Sequence, residues 1–207
     1  MLKPKRYLDI KTKFRQSAMI NQNYYPGMIN SEIEFFTTGE TLTFIQNGTM
    51  LPFSKIDSTI YKMLKSEMHK DIDAHLALMD WHPNNEQMQV EKFTKCRSGG
   101  LDFNADITAS GRVQKGEYWE CPLRTNCKSA GLVCKNIKVH HQPITIDEVQ
   151  LIKLLVTDMT NDVIAMELKI ALGTLHLKKR VLYEKLEIST KQELTIFAFQ
   201  YNIIHTN

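Results

Sequence analysis

No apolar run in the chain approaches the roughly 18 residues of a membrane span, and no apolar core of signal-peptide length follows Met1. Both absences lead us to expect a cytoplasmic chain with no membrane partner. There is no Walker loop, no Gly-x-Ser-x-Gly elbow and no His-Glu-x-x-His pair, so the sequence gives no reason to expect an enzyme. Residues 1–140 lack both the alternating β/α order and the acidic pocket of a phosphoacceptor receiver. Internal repeats and low-complexity tracts are absent as well. A dominant charge is missing too: 26 Lys and Arg stand against 23 Asp and Glu, a net +3. That bias is compatible with nucleic acid but does not by itself indicate it. Cysteine is absent before residue 96 and after residue 134. In a reducing compartment four such cysteines argue for thiols or a metal rather than disulfides.

What is present is concentrated in the last third, Ile144 to Ile204. Four short amphipathic segments follow one another there, with connections too short for anything but packed helices. Thr145-x-x-Glu148 is a capping-box pattern just before the apolar run Val149, Ile152, Leu155, Val156. Residues 157–161 break that run, and Thr160 can cap a second helix carrying Ile164 and Leu168. Gly173 sits in the next break. Leu175, Leu182 and Leu186 then repeat at helical spacing through a basic segment. Two helices joined by a turn of about four residues, the second basic on its outer face, read as a helix-turn-helix. On the second helix His176, Leu177, Arg180 and Glu184 point away from the leucine face, with Lys178 and Lys185 on one flank. Lys179 falls near the leucine face and must run along its own stem to reach water. A helix that enters the major groove of duplex DNA needs this layout: an apolar back, and long donors in front. An ordinary surface helix with a solvated basic face shows the same periodicity.

The blocks also resemble the C-terminal DNA-binding domain of LuxR/GerE-type transcription regulators, whose pattern runs LTxRExEVL, SNKEIAxxLxIS and xTVKxHxxxIxxKLGV. Ile144, Thr145, Glu148, Leu151 and Ile152 fit the first block, and Thr160, Asn161, Ile164, Ala165, Leu168 and Ile170 the second. Gly173, Thr174, Leu175, Leu182, Lys185, Leu186 and Ile188 fit the third, with Ile203 and Ile204 at the close. The resemblance implies base contacts from His176, Leu177 and Arg180, and phosphate contacts from Thr174 and Lys185. It also implies a transcription regulator that dimerises through its last helix. Ala171 departs from the pattern by replacing the usual Ser cap, which forfeits about 1 kcal/mol of helix start. Asp147, His176 and Lys178 are further departures, and they bear on which base sequence is read.

The expected organisation is mainly α with a small β part (α+β), divided into an N-terminal unit, 1–139, and a helix-turn-helix unit, 140–207. A short helix at about Leu8–Ile20 is a candidate. Ile33–Phe36 suits a strand, and Asn47-Gly48 is a strong hairpin signal between Leu42–Gln46 and Thr49–Leu51. Ser54 should cap one long helix to about Asp80, burying Ile56, Ile60, Leu64, Met68, Ile72 and Met79. Another helix runs from about Glu86 to Lys95. Ser110-Gly111 suits a turn between Ile107 and Val113, and Asn136–Pro143 reads as a linker.

Cys121-x5-Cys127-x6-Cys134, with Cys96 25 residues earlier, brings four thiols into one stretch. Four thiolates can close a structural zinc site, with an iron–sulfur cluster, a redox thiol pair or buried unligated cysteines as alternatives. His140 and His141 are candidate substitutes for one ligand. Four thiolates would leave zinc no open position, which again argues against catalysis. The segment Gly99–Cys134 is similar to a block that precedes a LuxR-type helix-turn-helix in uncharacterised bacterial regulators. On the last helix, Leu194, Phe197, Ala198 and Tyr201 form the core face, while Ile196, Phe199 and Ile203 project from nearly the opposite side. We read that second stripe as a homodimer interface, with packing inside the chain as the alternative. The partners expected are therefore double-stranded DNA, a second copy and RNA polymerase. Only seven Lys and Arg face eight Asp and Glu from His140 onward, which concentrates the DNA-facing charge between Lys178 and Lys191. The same near-balance keeps open an adaptor that uses its helix-turn-helix on polymerase or a sigma factor.

Overall fold

The computed structural model describes residues 24–204; the expected helix at residues 8–20 lies outside them. The fold is α+β, with a three-stranded antiparallel sheet and three helices followed by a small hairpin and four more helices. No described helix is long and apolar enough to cross a membrane.

The sheet runs β1 (Glu34–Thr38), β2 (Thr41–Gln46) and β3 (Thr49–Pro52) in that order. Asn47 and Gly48 turn it with φ of 50° and 74°, the mirror-image turn that suits a twisted hairpin. Phe35, Leu42 and Phe44 come off one face and pack with Phe53 against the helices. Ile107 bridges Ile33 on one side and Val113 on the other, so the expected turn at Ser110-Gly111 is present, with Gly111 at φ 78°.

The long helix expected from Ser54 is two helices. Ser54 lies in a short 3-10 turn, and Asp57 caps α1 (Ser58–Lys70) by accepting the Thr59 N–H. Asp71 then leaves helical geometry and caps α2 (Ile72–Trp81). The break rotates the buried stripe: Ala74 and Leu78 face the core, while Ile72, Leu76 and Met79 are exposed. Helical periodicity carried across residue 71 assigned Ile72 and Met79 to the wrong side. The helix α3 (Glu86–Arg97) is capped by Asn85.

The stretch read as a linker is folded. β4 (Lys138–Val139) and β5 (Gln142–Pro143) pair through a turn at His140 and His141, both at positive φ. Ile137, Val139 and Ile144 are buried with the helices that follow. Those helices are α4 (Ile146–Leu155), α5 (Asn161–Glu167), α6 (Leu172–Leu186) and α7 (Lys191–Gln200). Capping boxes start two of them: Thr145 with Glu148 on α4, and Thr190 with Glu193 on α7. Thr160 stands at the N-cap of α5 without a side-chain cap bond, and Gly173 lies inside α6 rather than before it.

One device ends three of these helices. Lys169, Glu187 and Asn202 each take positive φ and are each followed by isoleucine. The N–H of Ile170 bonds Ala165 O, that of Ile188 bonds Tyr183 O, and that of Ile203 bonds Ala198 O. This is a Schellman-type close, in which the apolar residue after the left-handed one folds back onto the helix. It places Ile203 at 3% exposure inside the core, so the expected interface role of Ile203 is overturned.

Candidate functional site

The four residues Leu168–Ala171 join α5 to α6, close to the turn length expected. On α6, Leu175, Leu182 and Leu186 are buried, and Thr174, His176, Leu177, Lys178 and Arg180 are exposed on the other sides. The anchored face and the presented face thus separate as the 3.6-residue period requires. Arg180 Nε lies 3.9 Å from Glu184 one turn on, too long for a hydrogen bond, and both side chains are exposed. Lys179 extends over the Tyr183 ring at 5.5 Å. Ala171 occupies the N-cap with extended backbone but offers no side-chain acceptor.

Lys185 is placed differently from the other basic residues. Its ammonium donates to both oxygens of Glu148, at 2.9 and 2.7 Å, and to Pro143 O at 2.7 Å. Burial would raise the Glu148 carboxyl, but the bonds from Lys185 and Thr145 outweigh it and hold it below its ordinary value. Lys185 therefore ties α6 to α4 and to the hairpin. Lys191 likewise donates to Thr157 O, and Lys153 to Glu120. The basic charge on the presented face is carried by Lys178 and Arg180, a shorter stretch than residues 178–191. The sequence does not show this, because the carboxylate that takes Lys185 lies 37 residues earlier and already closes the capping box of α4.

The cysteines lie in a second region, built by backbone bonds. Arg97 Nε donates to Val133 O, which sets Cys96 beside Cys134. Arg124 donates to Trp119 O and Lys135 O, and its N–H bonds Cys121 O, which brings Cys121 to the same place. Ala130 N–H bonds Cys127 O, and the next amide, Gly131, donates to Cys134 Sγ at 3.3 Å. Burial pushes the Cys96 thiol up to about 12; Lys92 opposes this, and Cys134, Cys121 and Cys127 each add to it. All four thiols thus share one neighbourhood without disulfides. Among the described residues no three His, Cys, Asp or Glu side chains are gathered as a metal ion would need. The expected four-thiolate set is a neighbourhood here and not a closed tetrahedron. Cys127 borders an open cleft of about 410 Å³ lined by Trp81, His82, Lys92, Leu123, Asn126 and Lys128; the other three cysteines do not line it. His140 is in the β4–β5 turn, 3.4 Å from Glu187, and His141 is exposed beside it.

Two polar clusters that periodicity does not reveal hold this region. Asp71 Oδ2 accepts Arg97 Nη2 and Lys135 Nζ, both at 2.7 Å. Burial would raise its pKa, yet those bonds and the Ala74 N–H hold Asp71 well below the usual carboxylate range. Glu34, Asp102, Asp106 and Glu117 form the other cluster. Burial, reinforced by neighbouring carboxylates, raises Glu34 and Asp106 and pushes Glu117 up to about 11. Glu34 Oε1 accepts the Asp102 N–H, Asp106 Oδ2 accepts the Phe35 N–H, and the Asn202 amide reaches Asp102 and Glu117.

Residues 142–198 match the family model described as bacterial regulatory proteins, luxR family. A helix-turn-helix domain of that family therefore occupies this part of the chain, from β5 through most of α7. No curated protein and no solved structure matches the chain. The family match does not extend to the cysteine region.

Proposed function

We propose that the chain is a sequence-specific DNA-binding transcription regulator whose α6 enters the major groove. The observation that carries this is the two-faced α6: a buried leucine side inside a luxR-family domain, and an exposed row Thr174, His176, Leu177, Lys178, Arg180. Arg180 and His176 supply donors for base edges, Leu177 an apolar contact, and Thr174 and Lys178 contacts to phosphate. Lys185 is within reach of phosphate only if it leaves Glu148, so its first role is to fix the angle of α6. The unit 140–207 carries this function, although a cut at 139/140 falls inside the β4–β5 turn. Ile137 and Val139 belong to the same core, so a stable fragment starts at about residue 136.

The N-terminal unit, 1–139, supplies the input. Its four cysteines would hold one zinc ion once the thiols draw together from their shared neighbourhood. An iron–sulfur cluster would use the same four side chains. Two copies bind one operator through Phe199, which is exposed, and the half-buried Ile196 on α7.

The test uses a duplex selected by the full chain from a random-sequence library. Arg180→Ala should lose about 1–3 kcal/mol of affinity for that duplex and relax its base preference, with the circular dichroism of the fold unchanged. Fluorescence anisotropy reads the affinity, and analytical ultracentrifugation of the complex reads one or two chains per duplex. Wild-type affinity and preference in Arg180→Ala would exclude the groove-facing assignment.

A further inference from the structure

The N-terminal unit and the helix-turn-helix unit have separate hydrophobic cores, and a polar joint connects them at the end of α7. Asn202 closes that helix from the left-handed region, at φ 52°, with its backbone N–H bonded to Phe199 O. Its side-chain amide reaches into the N-terminal unit and donates to Asp102 and, at 3.3 Å, to Glu117. Four parts of the chain meet there. β1 brings Glu34, the residues after α3 bring Asp102 and Asp106, the segment after Gly116 brings Glu117, and α7 brings the neutral Asn202. Arg97 lies along Gly116, but its guanidinium is taken by Asp71 and Val133 O. The charged groups that act on Glu117 are Asp102, Asp106 and Glu34, and those that act on Glu34 are Asp106 and Asp102.

Donors are scarcer than acceptors in this joint. Glu34 Oε1 takes the Asp102 N–H, Asp106 Oδ2 the Phe35 N–H and Asp102 Oδ1 the Asn104 N–H. Glu34, which is fully buried, keeps Oε2 without a donor, and Glu117 Oε1 is buried in the same condition. Four carboxylates out of water with no cation among them cannot all be ionised, so the missing donors have to be carboxyl protons. The Glu117 carboxyl is hydrogen-bonded to Asp102, and two such groups share a bond only where one of them holds a proton. Burial and the acidic neighbours act in the same direction, raising the Glu117 carboxyl.

We propose that the proton between Glu117 and Asp102, with the Asn202 amide across both, makes a pH-operated joint that fixes the end of α7 to the N-terminal unit and releases it when the proton is lost. The contacts in the structure are those of the closed, protonated joint. Once ionised, the two carboxylates repel one another and draw in water, so they separate, and one amide no longer spans both. The sign follows from the raised acid: its stability is complete below the unfolded value, near 4, and is lost as pH rises through the folded one. Each proton released on opening favours the open joint about tenfold per pH unit. Ile196 and Phe199 stand on the same helix, so the support of the surface proposed for pairing two copies would depend on pH; the joint itself does not rest on that pairing.

Amide exchange of the full chain, followed by NMR between pH 6 and pH 8 and divided by the rate of an unstructured peptide at the same pH, tests this. Protection of the Ile203 and Ile204 N–H groups should fall about tenfold per pH unit, and the carboxyl carbon shift of Glu117 should be that of a protonated acid at pH 6. Glu117→Gln keeps a donor towards Asp102 and an acceptor for Asn202 but cannot ionise, so protection should no longer follow pH. Asn202→Gly keeps the left-handed close of α7 and removes the amide. There Glu117 should still be protonated at pH 6 while Ile203 ceases to follow pH. Level protection across this range in the wild type, with Glu117 protonated at pH 6, would overturn the joint and leave a buried acid. A Glu117 carboxyl already ionised at pH 6 would overturn the shared proton and the joint with it. An undiminished slope in both variants would also overturn the joint, because the opening would then lie elsewhere. None of these results bears on DNA binding by α6.

Discussion

The hydrophobic cores of the helix-turn-helix unit and of the N-terminal unit sit beside carboxylates of opposite kinds. In the helix-turn-helix unit, Glu148 and Glu193 close capping boxes three residues from their partners, and both are held below their ordinary values. For Glu193 the causes are bonds from the backbone of Ser189 and Thr190, and for Glu148 bonds from Lys185 and Thr145 that outweigh burial. In the N-terminal unit, Glu34, Asp106 and Glu117 are raised by burial beside one another, and their partners are distant in sequence. One unit is assembled from local devices that each hold a few residues. The other is assembled from long-range polar contacts that exist only when the whole unit is folded. Their responses to mutation and to pH should therefore differ in size and in sign. The two tryptophans, Trp81 and Trp119, lie in the N-terminal unit, so indole fluorescence follows that unit alone.

The largest effect is expected at Asp71. It breaks the helix between α1 and α2 and accepts two cations, so its loss removes a cap and leaves Arg97 and Lys135 without their carboxylate. Arg97 is 9% exposed, and breaking so buried a pair costs about 3 kcal/mol. Asp71→Ala should move the urea midpoint seen by tryptophan fluorescence far more than the helix signal of a 136–207 fragment moves under Lys185→Ala. Equal shifts would mean that the two units are not differently built.

A second expectation uses pH. An acid whose pKa is raised on folding gives stability that is complete below its unfolded value, near 4, and is lost as pH rises through the folded one. Glu34 is in that position and is fully buried, with Oε2 lacking a hydrogen-bond partner. The wild-type N-terminal unit should thus unfold at lower urea at pH 8 than at pH 5. Glu34→Gln keeps an acceptor for the Asp102 N–H and removes the ionisation. It should gain roughly 2 kcal/mol over wild type at pH 8 and clearly less at pH 5. Glu148 runs the other way. Its pKa is lowered, so its contribution is present above the unfolded value and is lost as pH falls through the folded one. Asp71 shares that direction, so acid removes stability from both units, and the loss between pH 5 and pH 8 tied to Glu34 is what sets the N-terminal unit apart; a helix signal from the 136–207 fragment that falls equally between pH 5 and pH 8 would contradict this.

The same difference decides what the sequence discloses. The Asn47-Gly48 turn, the Thr145–Glu148 box and the leucine face of α6 are each written within a few residues, and each stands where the sequence places it. Asp71 is not legible in this way, because nothing near it interrupts the helical period of residues 56–79. The reason for the break lies in Arg97 and Lys135, 26 and 64 residues on. The hairpin at His140 and His141 is hidden because the sequence signals for such a two-residue turn are Asn-Gly, Asp-Gly or Gly-Gly, and His-His is none of them. Helical spacing carried past Gln200, the end of α7, places Ile203 on the outer stripe. The signal that corrects it is a repeat, Lys169-Ile170, Glu187-Ile188 and Asn202-Ile203, each pair sitting just after a helix. Lys185 shows the limit for the candidate site: a basic residue on the flank of α6 is also within reach of a carboxylate that already closes α4.

The smallest effect sharpens the comparison within the local unit. Ala171 is the N-cap of α6, with φ −67° and ψ 147°, the extended geometry from which a cap side chain reaches the third amide of the helix. Its carbonyl already accepts the Leu175 N–H, so the backbone is in place and only the side-chain oxygen is missing. Ala171 is exposed, so a hydroxyl there meets water before folding and displaces no packed neighbour. Ala171→Ser should therefore let the new hydroxyl accept the Thr174 N–H and stabilise the helix-turn-helix unit by about 1 kcal/mol. In the 136–207 fragment this should raise the thermal midpoint by about 4–8 °C. In the full chain the tryptophan transition should stay where it is, because the added bond is confined to the first turn of α6. If the tryptophan transition rises with the helix signal, the contacts of Tyr118 and Glu120 with the helix-turn-helix unit join the two units into one cooperative body. The contrast between local and long-range construction would then hold for the bonds but not for the unfolding.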